Sequence, residues 1–219
     1  MCFLTQKIYL FFIISPLFLY SQQPADNYIN HRASDCIHAA AAKDDGIRAE
    51  NSRSDTIDIL DYDIHLNITD FTSQTISGYT TISFQSKMDD VSEILLDLLA
   101  LTVDSVIQDG QQLAFSHLNE LLTITLSQTL STADSTKITV YYQGNPVIDA
   151  SGWGGFYFSG DYAYNLGVGF AADPHVYGRV WFPCFDNFVE RSTYHFSITT
   201  ENTKMALCNG EFISGTDNA

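Results

Sequence analysis

The chain of 219 residues is 45% hydrophobic and 13% aromatic, the composition of a folded protein and not of a disordered one. Acidic residues outnumber Lys plus Arg by 26 to 10, for a formal net charge of -16. Such a surface repels nucleic acid and anionic lipid, whose phosphates demand cations, so neither partner class is expected.

The chain begins "MCFLTQKIYLFFIISPLFLYSQQ". Lys7 precedes an apolar run from Ile8 to Tyr20, and the small Ser21 precedes polar sequence, the three-part layout of a secretory signal peptide over residues 1–21. The run falls short of the ~20 apolar residues that span a bilayer. The protein is therefore expected to be exported (periplasmic, cell-surface or secreted), with no membrane association beyond the signal. Residues 22–54 read as a polar, poorly ordered leader, with one short helix expected from His38 to Gly46. Once the signal is removed, Cys36, Cys184 and Cys208 remain, and an odd count leaves at least one thiol unpaired. Cys184 with Cys208 is a possible disulfide whose geometry sequence does not fix.

Residues 55–219 form the expected folded domain. In "YDIHLNIT", Tyr62, Ile64, Leu66 and Ile68 alternate with polar residues, the mark of a strand with one buried face. The same period recurs with Ile76, Ile82 and Phe84, with Leu122, Ile124 and Leu126, with Ile138, Val140 and Tyr142, and with Tyr194, Phe196 and Ile198. Polar turns such as "QDGQQ", "STADS" and "QGNP" separate these runs. Val91 to Val106 carries enough leucine for a helix, but "LTVDSV" is β-like, and two strands are expected. The fold class is all-β, an antiparallel sandwich or curled sheet. From Pro146 the texture changes to Gly- and aromatic-rich sequence without alternation, which reads as loop architecture with a large apolar payload.

Motifs that would carry chemistry are scarce. There is no His-Glu-x-x-His, no Gly-x-Ser-x-Gly and no phosphate-cradling loop. The six histidines, at 31, 38, 65, 117, 175 and 195, are scattered, and His65 and His195 fall on polar strand faces. The pairs Asp44-Asp45 and Asp89-Asp90 read as polar turns, and Asn67-Ile68-Thr69 fits a weak glycosylation sequon. The segment "RVWFPCFDN", Arg179 to Asn187, stands apart. Pro183 breaks a strand at Phe182 by fixing φ and removing a donor. Asp186 can accept backbone N–H groups, with Arg179 and Arg191 as possible partners. Physics alone favours a hydrophobic crossover with a capped turn, internal to one sandwich.

These residues resemble a family. "GRVWFPCFDNFVERSTYHFSITT" is similar to the Arg-x-x-Phe-Pro-Cys-Phe-Asp segment and following strand of the M1 (gluzincin) zinc aminopeptidases. "YDIHLNITD" resembles the family's first strand, "ISGYTTISF" its Gly-containing second strand, and "SGWGGFYFSG" the aromatic segment before its cleft loop. The resemblance runs from about Thr56 to Phe212, and its strength lies in the order and spacing of the motifs. It implies a large, saddle-like antiparallel β-sandwich that packs on a thermolysin-like catalytic domain holding Zn2+ and a Glu general base. It also implies that this chain is C-terminally incomplete, a fragment or the first part of a split protein, with "CNGEFISGTDNA" falling within a β hairpin. No catalytic or metal-ligating residue, and so no cofactor, is expected in this chain, and alone it would be inactive.

By the same resemblance, Phe170, Ala171, Ala172, Asp173 and Pro174 face the substrate end of the cleft, with peptide as substrate of the full protein. Arg179, Phe182, Pro183, Cys184, Phe185 and Asp186 make the structural motif, with Cys184 as a packing residue. In many members a Gln in this loop helps bind the substrate's free amino group. Here Ala171 and Ala172 lie near that place, so either the Asp173 carboxylate replaces the contact or amine recognition is lost. The family's Glu-Pro after the Asp is Asn187-Phe188 here. Much of the apolar surface of Arg179 to Asn187, with the Gly-aromatic stretch before it, is expected to face the catalytic domain. The alternative is a free-standing binding module for peptide or glycan, with Trp153, Phe156, Phe158 and Tyr162 as its platform.

Overall fold

The structure is a computed structural model that describes residues 53–216. The signal peptide, the helix expected from His38 to Gly46, Cys36, Asp44-Asp45 and most of the leader lie outside the described residues. Arg53 and Ser54, assigned to the leader by sequence, are part of the packed domain. Ser54 is buried, and Arg53 holds the Asp97 carboxylate through two bonds of 2.9 and 3.1 Å.

The strands are β1 (Ile57–Asp70), β2 (Thr75–Ser86), β3 (Val91–Asp97), β4 (Thr102–Gln108), β5 (Gln111–Gln112), β6 (Phe115–Leu118), β7 (Leu121–Leu130), β8 (Ser135–Gly144), β9 (Gly154–Ser159), β10 (Tyr162–Gly169) and β11 (Thr193–Thr200). They form a six-stranded sheet in the order β11-β1-β2-β8-β4-β5, a three-stranded sheet β3-β7-β6, and the pair β10-β9. The all-β class stands. One pairing in the large sheet is parallel, β1 with β11, so that sheet is mixed.

Period-two burial builds the core. Tyr62, Ile64 and Leu66 of β1, Ile82 and Phe84 of β2, Leu122 and Ile124 of β7, and Ile138, Val140 and Tyr142 of β8 are all buried in one cluster. Each such aliphatic side chain contributes about 1.5–3 kcal/mol relative to exposure. A bulge at Leu60 shifts the phase of β1. Ile59 pairs with Phe84 and Asp61 with Ser83, so Leu60 is the extra residue and points to solvent. That is why Ile57 and Ile59 are buried at odd positions and Tyr62 onward at even ones. Val91 to Val106 divides into β3 and β4, as its sequence suggests.

Two expectations change. β11 carries the same alternation as the other runs, yet Tyr194 and Phe196 are 49% and 37% exposed, because among the described residues β11 is an outer strand whose apolar face is only partly covered. The Gly-aromatic stretch is not a loop throughout. It contains the antiparallel pair β9 and β10. Alternation is absent there because Gly154, Gly155 and Phe156 are buried in succession. Gly154 has φ 120, and a Cβ on it would lie 2.1 Å from the Val168 carbonyl oxygen, so only glycine lets the two strands approach.

Candidate functional site

The segment Arg179 to Asn187 forms a lock inside the domain. Gly178–Val180 is a single 3-10 turn and no strand runs directly into Pro183, so the proline ends a turn and not a ladder. Val180, Phe182, Pro183, Cys184 and Phe185 are buried. Phe182 meets the Tyr62 ring edge-on, with centroids 5.5 Å apart. The Phe185 N–H donates to the Tyr62 hydroxyl at 3.0 Å. Asp97 and Cys184 exchange backbone hydrogen bonds of 2.7 and 3.1 Å, and the Asp186 N–H donates to the Asp97 carboxylate at 3.0 Å. One short segment thereby ties β1 of the large sheet to β3 of the small one.

This corrects the expectation that much of the segment's apolar surface faces another domain. Most of it is spent on this domain's own core, and Phe188 and Val189 just beyond it are the residues left exposed. Asp186 closes the turn. Its carboxylate accepts the Gly178 N–H at 2.8 Å and the Arg179 guanidinium at 2.7 Å. Burial pushes the Asp186 carboxyl above the ordinary carboxylate range, outweighing the pull of Gly178 N–H and Arg179. Burial lowers Arg179, but Asp186, Glu120 and Asp97 together hold it above its ordinary value. Arg191 is exposed and makes no ion pair among the described residues, so Arg179 is the partner of Asp186.

Both described thiols are free, Cys184 buried and Cys208 exposed, so the possible Cys184–Cys208 disulfide does not form. Burial, with Asp186 and Asp97 adding to it, raises the Cys184 thiol far above its usual range. The thiolate is the reactive species. Iodoacetamide applied to the native full chain should therefore alkylate Cys208 and leave Cys184 unmodified until denaturant is added, as read by peptide mass mapping. Comparable native labelling of Cys184 would contradict its packing role.

The loop Phe170–Pro174 lies just upstream of the lock. Phe170, Ala171 and Asp173 are exposed, Ala172 and Pro174 are half-buried, and the Asp173–Pro174 bond is cis. Its base is anchored. The Ala171 N–H donates to the Asp149 carboxylate at 2.9 Å, and the Phe170 N–H to the Trp153 carbonyl at 3.1 Å. The His175 ring bonds the Ala172 carbonyl at 2.7 Å, with Nδ1 as the donor. Asp149 is a buried carboxylate that sequence reasoning missed. The Ser151 hydroxyl, with the Ala171 and Ser151 amides, lowers its pKa despite burial. The signal that could have found it is "DASG", an Asp two residues before Ser151 in a turn. The aromatic platform of the alternative reading does not assemble. Trp153 and Tyr162 are exposed, but Phe156 is buried and Phe158 packs against the core.

Among the described residues, no three His, Cys, Asp or Glu side chains gather as a metal-ligand set. His65 lies 3.2 Å from Asp63 and stacks on Tyr79, His117 bonds the Leu98 carbonyl, and His195 lies 3.4 Å from Asp61. These residues do not fit a zinc ion. Asp89 accepts the Thr132 amide and hydroxyl, which makes it a turn carboxylate. Asn67 of the sequon is exposed on β1.

The fold and site define a mixed-sheet β domain that carries a Phe-Pro-Cys-Phe-Asp lock below an exposed, anchored loop. A model of the peptidase M1 N-terminal domain matches residues 59–219, and the chain belongs to that family. The M1 zinc metallopeptidase from Deinococcus radiodurans is similar in structure, with a TM-score of 0.66 at 23% identity over 74% of this chain. Native yeast LTA4 hydrolase is similar with a TM-score of 0.55 at 22% identity, also over 74% of this chain. These likenesses show the fold. The chain spans 37% of the length of the Deinococcus protein and 26% of the yeast one. A search of curated proteins found no match.

Proposed function

We propose that this chain is the N-terminal, cleft-forming domain of an exported M1-like zinc metallopeptidase that hydrolyses peptides at their N-termini. The observation that carries the reading is the exposed Phe170–Pro174 loop held on a buried carboxylate, in a domain of the peptidase M1 N-terminal family. A similar solved structure is described as a two-domain M1 zinc metallopeptidase. The zinc and the general base belong in this reading to a catalytic domain packed against this one, where zinc supplies Lewis-acid activation of water. This chain's own part is to bind and orient. Asp149 fixes the backbone at Ala171, Phe170 offers apolar surface to a substrate side chain, and the Asp173 carboxylate suits the substrate's ammonium group. Export rests on residues 1–21 and is checked by N-terminal sequencing of the cell-free or periplasmic protein.

The test uses the protein purified from its source by an antibody to this chain. Zinc-dependent hydrolysis of aminoacyl substrates, lost on chelation, is expected. An Asp173→Ala version should raise KM about tenfold, a loss of about 1.4 kcal/mol, with a smaller change in kcat. Native protein of full purity without zinc-dependent hydrolysis would overturn the reading. Unchanged KM in Asp173→Ala would remove Asp173 from the cleft.

A further inference from the structure

The loop Phe170–Pro174 leaves β10 through Gly169, and Gly169 has little room for a side chain. A Cβ on it would lie 2.9 Å from Cγ and Cδ2 of Tyr177 and 2.9 Å from the Asp149 carboxylate. The base of the loop therefore packs against a ring as well as a carboxylate. Tyr177 is buried, and the Arg179 guanidinium carbon lies over its ring, 4.9 Å from the centre. Arg179 is fixed independently of the loop. Its guanidinium meets Asp186 at 2.7 Å and Glu120 at 3.3 Å. Glu120 lies in the turn between β6 and β7. The Leu98 N–H donates to the Glu120 carbonyl at 2.9 Å, and the Leu99 N–H to the Arg179 carbonyl at 2.7 Å. Hairpin tip, Arg179 and Tyr177 thus form one braced unit that ends on Gly169.

We propose that Tyr177 is a positioning residue: its ring, held by Arg179, sets Gly169 and with it the placement of the loop Phe170–Pro174 toward a substrate's ammonium group. This rests on the reading above that the loop faces the substrate. Phe170, Ala171 and Asp173 are exposed, and a surface loop is mobile unless its ends are fixed. A carboxylate that recognises an ammonium must be held to within about 0.5 Å. The Phe170 and Ala171 amides bind the Trp153 carbonyl and the Asp149 carboxylate just past Gly169. The Tyr177 ring blocks Gly169 from drifting out of reach of those acceptors. The ring acts and not the hydroxyl, because Gly169 faces Cγ and Cδ2 and Arg179 faces the ring centre.

Hydrogen exchange and kinetics on the full-length protein test this. Tyr177→Leu removes the ring and keeps apolar bulk. The Phe170 and Ala171 amides should then exchange about tenfold faster, while β1 and β8 amides stay protected and report an intact fold. KM for an aminoacyl substrate should rise about fivefold, with kcat within about twofold of wild type. Tyr177→Phe keeps the ring and should restore both values. Gly169→Ala presses on the same contact from the other side and should also speed exchange at Phe170 and Ala171. Combined with Tyr177→Leu it should add little, as two changes at one contact do. If Tyr177→Leu loosens β1, Gly169→Ala carries the comparison with the ring in place. Unchanged exchange at Phe170 and Ala171 would overturn the brace, whether or not the protein hydrolyses peptides. Faster exchange with an unchanged KM would overturn its part in substrate binding. A wild type without zinc-dependent hydrolysis would instead defeat the proposed function, and the exchange comparison would still decide the brace.

Discussion

Phe182→Ala should cost the isolated chain about 3–5 kcal/mol of unfolding free energy. The side chain is buried, edge-on to Tyr62 and 4.6 Å from the Trp181 ring centre. Its removal forfeits the transfer energy of the ring and leaves a cavity where β1 and the lock segment meet. Neighbouring backbone cannot collapse into that space, because the Asp97–Cys184 bridge and the Phe185–Tyr62 bond fix the segment two and three residues on. Urea unfolding followed by tryptophan fluorescence gives the free energy by linear extrapolation. The control is Phe188→Ala, an exposed aromatic six residues away, which should change stability by no more than about 0.5 kcal/mol. If the lock were chiefly an interface for another domain, Phe182→Ala would leave this chain's stability nearly unchanged, so the pair of measurements separates the two roles.

Asp186→Ala should destabilise the chain by about 3 kcal/mol. Two groups lose their partner at once, the Gly178 N–H and the Arg179 guanidinium. Arg179 is mostly covered and keeps one carboxylate, the half-exposed Glu120 at 3.3 Å, besides the Val176 carbonyl at 3.5 Å and the Tyr177 ring. Asp186→Asn should lose less, since its amide oxygen can still accept the Gly178 N–H. The pH dependence has a definite sign. The folded carboxyl has a raised pKa, so the folded state binds its proton more tightly than the unfolded chain does. The contribution of Asp186 is therefore fully present below the unfolded value near 3.8 and declines as pH rises through the folded one. The stability gap between wild type and Asp186→Asn should narrow across that window. Asp70, Asp89 and Asp149 have lowered values and act oppositely, losing their contribution as pH falls through them. Taking the difference between the two proteins cancels those background carboxylates. A change below about 1 kcal/mol for Asp186→Ala in the same urea assay would mean the turn is held by the apolar side chains alone.

The strands were legible because burial on one face writes a two-residue period into the chain itself. Ile64, Leu66, Ile82, Ile124 and Val140 could be placed from their neighbours alone, and the order of the "GRVWFPCFDN" motif was enough to suggest the family. The phase of β1 needed the structure, since the bulge at Leu60 is a property of its pairing with β2 and not of β1's sequence. The pair β9 and β10 was hidden for a related reason. Glycines that permit close backbone approach also erase the alternation by which strands are recognised.

The candidate site was legible in part. The loop Phe170–Pro174 was named from motif order, but its anchor was not, because Asp149 and Ala171 are 22 residues apart and meet only when β9 and β10 fold back. "RVWFPCFDN" shows the division most plainly. Its sequence determined a rigid, apolar, carboxylate-capped turn, since Pro183, the aromatic run and Asp186 act on their immediate neighbours. Whether that apolar surface lay inside the domain or outside it was decided by Tyr62 and Asp97, which lie 123 residues from Phe185 and 89 from Asp186. Local patterns fix which faces are apolar. Only the pairing of distant strands fixes what covers them, because burial is a property of the surfaces that meet.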